Sequence, residues 1–132
     1  MGYRLYCYEK GKEEGKFDIC LWKFYAYAEY KYVKRSWEYL WPKVIDQVDT
    51  DYYFDETYES AYELEHIVHA EYNVDAKTFR EFIDLYISDR NLWVKDTANP
   101  YFARFIIDLN DPQYKKLKDL YDSDCDKTLE WG

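Results

Sequence analysis

In TFREFIDLYISDR, residues 78–90, Phe79, Phe82, Ile83, Tyr86 and Ile87 recur at intervals of three and four, so a helix gathers them into one apolar stripe. Thr78 and Glu81 stand at the spacing of a capping box at its start. The first 25 residues alternate instead. YRLYCYEKGKEEGKFDICLWKFY places β-favouring residues on both sides of a polar, Gly-flanked turn and predicts a hairpin. With Glu9 facing Asp18, Lys12 to Gly15 form the loop and Cys7 lies across from Cys20. One face then carries Tyr3, Leu5, Cys7, Cys20, Trp22 and Phe24, and the other Tyr6, Tyr8, Phe17, Ile19 and Leu21. A strand pair apolar on both sides is covered on both, or covered on one with the other kept for a partner.

Between these segments the pattern is mixed. Tyr30, Val33, Trp37, Leu40, Trp41, Val44 and Val48 recur at helical spacing, while Tyr25 with Tyr27 and Tyr30 with Tyr32 alternate as a strand does. The reading favoured is a helix from about residue 27 that breaks or kinks near Trp41, because Pro42 pushes its predecessor toward extended backbone. A second helix is predicted from Glu56 to Tyr72, with Ala61, Leu64, Ile67 and Val68 inward and Glu59, Glu63 and His66 outward. YFARFIIDL, after Asn99 and Pro100, reads as the later strand. Asp111 then caps a short helix with Pro112 in its first turn and Tyr114, Leu117 and Tyr121 inward. The tail DSDCDKTLEWG reads as loose, with Trp131 as an anchor. The order predicts an α+β fold: a small, mostly antiparallel sheet built from the N-terminal hairpin and a later strand, with about four helices.

At 132 residues the chain is long enough for one modest core, so residues 1–132 are read as a single domain. With 48% apolar and 22% aromatic residues it is not composed like a disordered chain. It has no apolar run of transmembrane length and no secretory leader or lipidation signal, which predicts a soluble, unprocessed protein of the cytoplasm. The formal net charge is -9, and its distribution is uneven. From Val44 to Ala76 there is no Lys or Arg, and ten of the 27 acidic residues fall there. The flanks hold all 18 basic residues against 17 acidic ones, so the middle of the chain carries the whole imbalance. A solvated acidic face, partly neutralised by Lys31, Lys34 and Arg35, is one reading of this. A surface that meets a basic partner is the other, since a single-sign field speeds encounter with the opposite sign.

Little chemistry fits the rest. The glycines stand at positions 2, 11, 15 and 132, so no phosphate-cradling loop exists. None of Ser36, Ser60, Ser88 and Ser123 lies in a nucleophile-elbow setting. His66 and His69 are three apart with Ile67 and Val68 between them, which is not metalloprotease spacing; ion pairing with Glu63 and Glu65 is the simpler use. Asp122, Asp124 and Asp126 imitate the start of a calcium loop, but Lys127 replaces its turn glycine and no twelfth ligand follows. Cys7, Cys20 and Cys125 lack zinc spacing and read as free thiols, with a Cys7–Cys20 disulfide as the alternative. YKYVKRSW interleaves rings with cations, as a single-strand nucleic-acid platform does, yet the acidic block repels the same ligand. No catalytic residue, metal or cofactor is expected.

What remains is a binding function. Seventeen tyrosines against seven phenylalanines favour rings that tolerate half-wet positions, and interfaces use Tyr for that reason. In the acidic block Tyr52, Tyr53 and Tyr58 lie among Asp46, Asp49, Asp51, Asp55, Glu56, Glu59 and Glu63, a combination offering a basic partner ion pairs and flat contacts together. On a helix, Asp55, Glu59 and Glu63 repeat in steps of about 6 Å, close to a phosphate-like spacing. In size and charge the chain is similar to nucleic-acid mimics carried by phages against host defences, anti-CRISPR proteins among them, and to immunity proteins that block nuclease toxins. That similarity implies an inhibitor of a basic, nucleic-acid-binding protein such as a nuclease or CRISPR effector, acting in the host cytoplasm when phage-encoded. A structural subunit that self-associates through tyrosine-rich faces is the competing reading. Neither membrane insertion nor direct nucleic-acid binding is expected.

Overall fold

A computed structural model describes residues 4–22, 34–47 and 71–131. The fold is α+β. Four strands form one antiparallel sheet: β1 (Arg4–Glu9), β2 (Cys20–Trp22), β3 (Glu71–Val74) and β4 (Lys127–Trp131), in the order β2-β1-β4-β3. The described α-helices are α1 (Lys34–Val44), α2 (Ala76–Thr97) and α3 (Lys115–Asp122). Short 3-10 turns follow α1 at Ile45–Gln47, follow α2 at Pro100–Phe105 and precede α3 at Pro112–Tyr114. No described helix is long and apolar enough to cross a membrane.

The period of two along each strand decides what the sheet buries. Cys7 on β1, Leu129 on β4 and Tyr72 on β3 lie side by side across the sheet, all with no exposed surface. They share one apolar core with Phe79, Phe82, Ile83 and Tyr86, the stripe of α2. Lys127 points into the same face. Its stem is buried, its ammonium lies 5.4 Å over the Phe79 ring and it donates to the Ser123 carbonyl at 2.6 Å, which satisfies the charge without a carboxylate. Across the sheet's other face Tyr8 and Thr128 are opposite one another and also buried, and Thr128 Oγ1 donates to Asn73 Oδ1 at 2.8 Å. The centre of the sheet is therefore enclosed on both sides.

Helix α1 lies against α2, contributing Leu40 and Val44 to the core. One carbonyl-rich end is closed by a basic side chain. Arg80 on α2 donates to the carbonyls of Tyr121 and Ser123 at the end of α3, where orphan C=O groups and the negative end of the helix dipole both favour a cation. Asn91 holds the extended stretch after the Pro100–Phe105 turn, donating to the Ile107 carbonyl at 3.0 Å and accepting from its N–H at 2.9 Å.

Several predicted elements are relocated. YFARFIIDL is not a strand: Asn99 Oδ1 accepts the Tyr101 N–H, Pro100 opens the turn, and residues 100–105 wind into 3-10 geometry. The later strand is β4, inside the tail that reads as loose, and Glu71 and Tyr72 belong to β3 instead of ending a helix. The N-cap of α2 is Asp75, whose carboxylate accepts the Thr78 N–H at 2.7 Å, so Thr78 sits within the first turn. Pro42 stays inside α1; it falls close to the helix end, where the loss of one amide bond is answered by the passage into a 3-10 turn. The hairpin register differs by one residue, with Tyr6 opposite Cys20. Cys7 and Cys20 therefore project from opposite faces, and they form no disulfide with one another. Asp111 caps its turn as predicted, and Leu117 is buried. The helix predicted over Glu56–Tyr72 lies, apart from its last two residues, outside the described residues.

Candidate functional site

The acidic stretch leaves the described fold at one place and returns to the same place. Gln47, at the end of the turn after α1, donates from Nε2 to the Asn73 carbonyl and accepts the Asn73 N–H on Oε1, both at 2.7 Å. One side-chain amide thus acts on β3 as a neighbouring strand would, and holds the chain at residue 47 beside the chain at residue 73. Eight acidic residues lie between Gln47 and Asn73 in the sequence. Of the predicted partner-binding residues, Asp46 is described: it is exposed beside Gln47 and makes no ion pair among the described residues. Asp49, Asp51, Tyr52, Tyr53, Asp55, Glu56, Tyr58, Glu59 and Glu63 lie outside the described residues, as do His66 and His69.

The other described acids of the block are Glu71 and Asp75. Glu71 is exposed on β3 directly opposite Glu130, a like-charge pair eased by Lys16, whose ammonium is 3.4 Å from Glu130. Asp75 is held below the usual carboxylate range, first by the backbone and side chain of Thr78 and then by the charges of Lys77 and Lys43. Lys43 also lies 4.9 Å over the ring of Tyr39. The Tyr39 hydroxyl donates to Glu81, and burial together with that hydrogen bond pushes its pKa up to about 12. The root of the acidic stretch is thus ordered by caps and amides more than by ion pairs.

The ion pairs between described residues all lie within the flanks. Seven ion pairs among the described residues join Lys12, Lys16, Arg35, Arg80, Lys115, Lys116 and Lys118 to Glu9, Glu130, Asp89, Asp124, Asp119, Asp18 and Asp122. None of these acids comes from Val44–Ala76. Arg35, expected to neutralise the acidic face, is turned instead onto Asp89 of α2.

The calcium-like tail is spent on structure. Asp122 pairs with Lys118, Asp124 with Arg80, and the Asp126 carbonyl accepts the Lys10 N–H. Among the described residues no group of three His, Cys, Asp or Glu side chains is placed to hold a metal ion. Cys7 and Cys125 line one cavity of about 410 Å³ with Lys12 and Asp119. Burial pushes the Cys7 thiol well up, which disfavours the reactive thiolate.

Sequence reasoning overlooked a second surface. In the Pro100–Phe105 turn, Tyr101 is 59% exposed and Phe102 packs at 5.2 Å on the buried Trp93. Its signal was the Asn-Pro helix start followed by three rings and an arginine. The β-favouring rings outweighed it. No family model matches the chain, and comparison with curated proteins and with solved structures gives no match.

Proposed function

We propose that this chain is a non-enzymatic binding protein whose acidic middle segment occupies a basic surface of another protein, one that binds nucleic acid, and thereby inhibits it. The observation that carries this reading is the division of charge: every ion pair between described residues joins a flank cation to a flank acid, while Asp46 and Glu71 make no ion pair among the described residues. Asp46 and Glu71, with no described ion-pair partner, are available to an external cation. The clamp of Gln47 on Asn73 adds a fixed base from which that segment is presented. A nuclease, a CRISPR effector or a nuclease toxin each has the basic, phosphate-binding surface such a segment would compete for.

The test is capture from the native host's extract. Wild-type chain should retain a basic protein that moderate salt releases, because a charge-led complex is screened as ionic strength rises. Reversing Asp55, Glu59 and Glu63 together to Lys should abolish capture while the circular dichroism spectrum stays unchanged. Equal retention by both forms rejects the site. A salt-independent complex rejects the charge-led mechanism.

A further inference from the structure

We propose that the turn Pro100–Phe105 is a docking surface for an acidic peptide segment of another protein, with Arg104 taking a carboxylate and Tyr101 an adjacent ring. The turn is rigid at its base. Asn99 caps it, the Ile106 N–H closes onto the Ala103 carbonyl, and Phe102 is seated on Trp93. Above that base Tyr101 stands edge-on to Phe102 at 5.3 Å and to Phe105 at 6.2 Å. Arg104 lies across the same rings, its guanidinium carbon 4.1 Å from the centre of Tyr101 and 4.9 Å from that of Phe105. Stacking fixes the plane of the guanidinium without consuming its N–H donors.

Those donors have no carboxylate among the described residues, in a chain with 27 acidic side chains. A second guanidinium adds to the local field: Arg90 lies 5.6 Å from the Phe105 ring and donates to the Phe105 carbonyl. Positive charge, an exposed tyrosine and a preoriented arginine are what binding hot spots are made of. The ligand that complements them carries a carboxylate for the planar fork and a ring for Tyr101. Charge selects the class of partner. A nucleic-acid strand brings one negative charge per nucleotide against a chain of net charge -9, and a second copy brings the same -9, whereas a peptide needs only a carboxylate at this point. Asp75, the last acid of the central block, is separated from the turn by the 22 residues of α2, about 33 Å of helix.

The experiment measures fluorescence anisotropy of a labelled short peptide alternating aspartate with tyrosine. Its comparators are the same peptide with asparagine for aspartate and an oligothymidylate strand. Wild-type chain should bind the aspartate peptide, and R104A should bind it about tenfold more weakly, the loss expected for one charge-assisted pair. R104K should also lose affinity, since an ammonium cannot stack and present two parallel donors together. Unchanged circular dichroism confirms that Arg104→Ala folds. Equal binding by R104A, equal binding of the asparagine peptide, or no binding of the aspartate peptide overturns the proposal. So does tighter, Arg104-dependent binding of oligothymidylate, or an Arg104-dependent dimer in sedimentation. R104A should leave capture through the acidic segment intact, so either reading can fail without the other.

Discussion

Arg35 reaches from α1 to Asp89 of α2 with Nη2 at 2.7 Å and Nε at 2.8 Å from the same carboxylate oxygen, and Asp89 is 1% exposed. The Ser36 N–H donates to the other oxygen at 3.3 Å, and Arg35 Nη2 also donates to Ser88 Oγ. Burial outweighs these partners and holds the Asp89 pKa above the usual carboxylate value. Removing the partner is therefore worse than removing the pair. Arg35→Ala should cost about 3 kcal/mol by leaving a buried charge uncompensated, and R35A with D89N should recover most of that loss. Urea unfolding of the three variants checks the cycle; an additive double variant would deny the coupling.

Gln47 is the tether of the acidic segment. Gln47→Ala removes a donor and an acceptor and should lower stability by about 1–2 kcal/mol. Gln47→Glu keeps the acceptor for the Asn73 N–H but sets a carboxylate oxygen against the Asn73 carbonyl, so it should be no better. Hydrogen exchange at the Asn73 amide reads the contact directly: its protection should fall in both variants while that of Ile83 stays.

Tyr8 and Tyr39 are among the tyrosines that tie stability to alkaline pH. Tyr8 is pushed up to about 12, by burial first and then by Glu130, Glu71 and Glu13, and Tyr39 to about 12 by burial and by its bond to Glu81. An unfolded tyrosine ionises near about 10. The folded chain holds the two protons more tightly, so this contribution is fully present below about pH 10 and is lost as pH rises toward about 12. Tyrosinate absorbance should show these two rings titrating with unfolding, after the exposed ones. Relative to its own stability at neutral pH, Tyr39→Phe should lose less on alkalinisation; an equal loss would remove Tyr39 from the effect.

Glu71 and Glu130 face each other across β3 and β4. Reversing one sign turns repulsion into attraction. Glu71→Lys should stabilise by about 0.5 kcal/mol, seen as a higher Tm that converges on wild type in high salt.

What could be read from the sequence depended on the length of each pattern. The five-residue stripe of α2 spans more than two turns, and Phe79, Phe82, Ile83 and Tyr86 are buried together where that stripe places them. The strand EYNV offers only two buried positions, Tyr72 and Val74, too few to override the helical spacing of the residues before it. In β4 three successive residues, Lys127, Thr128 and Leu129, are buried, and a lysine reads as solvent-facing until Phe79 and the Ser123 carbonyl are beside it. Register was beyond reach because the chain between β1 and β2 includes a 3-10 turn at Glu13–Gly15, and a shift of one residue exchanges the faces of Cys7 and Cys20. The uneven charge was plain from composition. That Arg35 serves Asp89 was not, since the two are 54 residues apart and meet only through the packing of α1 on α2.

Among the described strands β3 is the last of the sheet, and the outward N–H and C=O of Asn73 are already occupied by Gln47. A foreign strand reaching for that margin would first have to displace an amide that satisfies both groups at once. Loss of the Gln47 side chain should therefore do more than soften a loop: it would open a template for cross-β growth, and concentrated solutions of Gln47→Ala should form fibrils sooner than the natural sequence does.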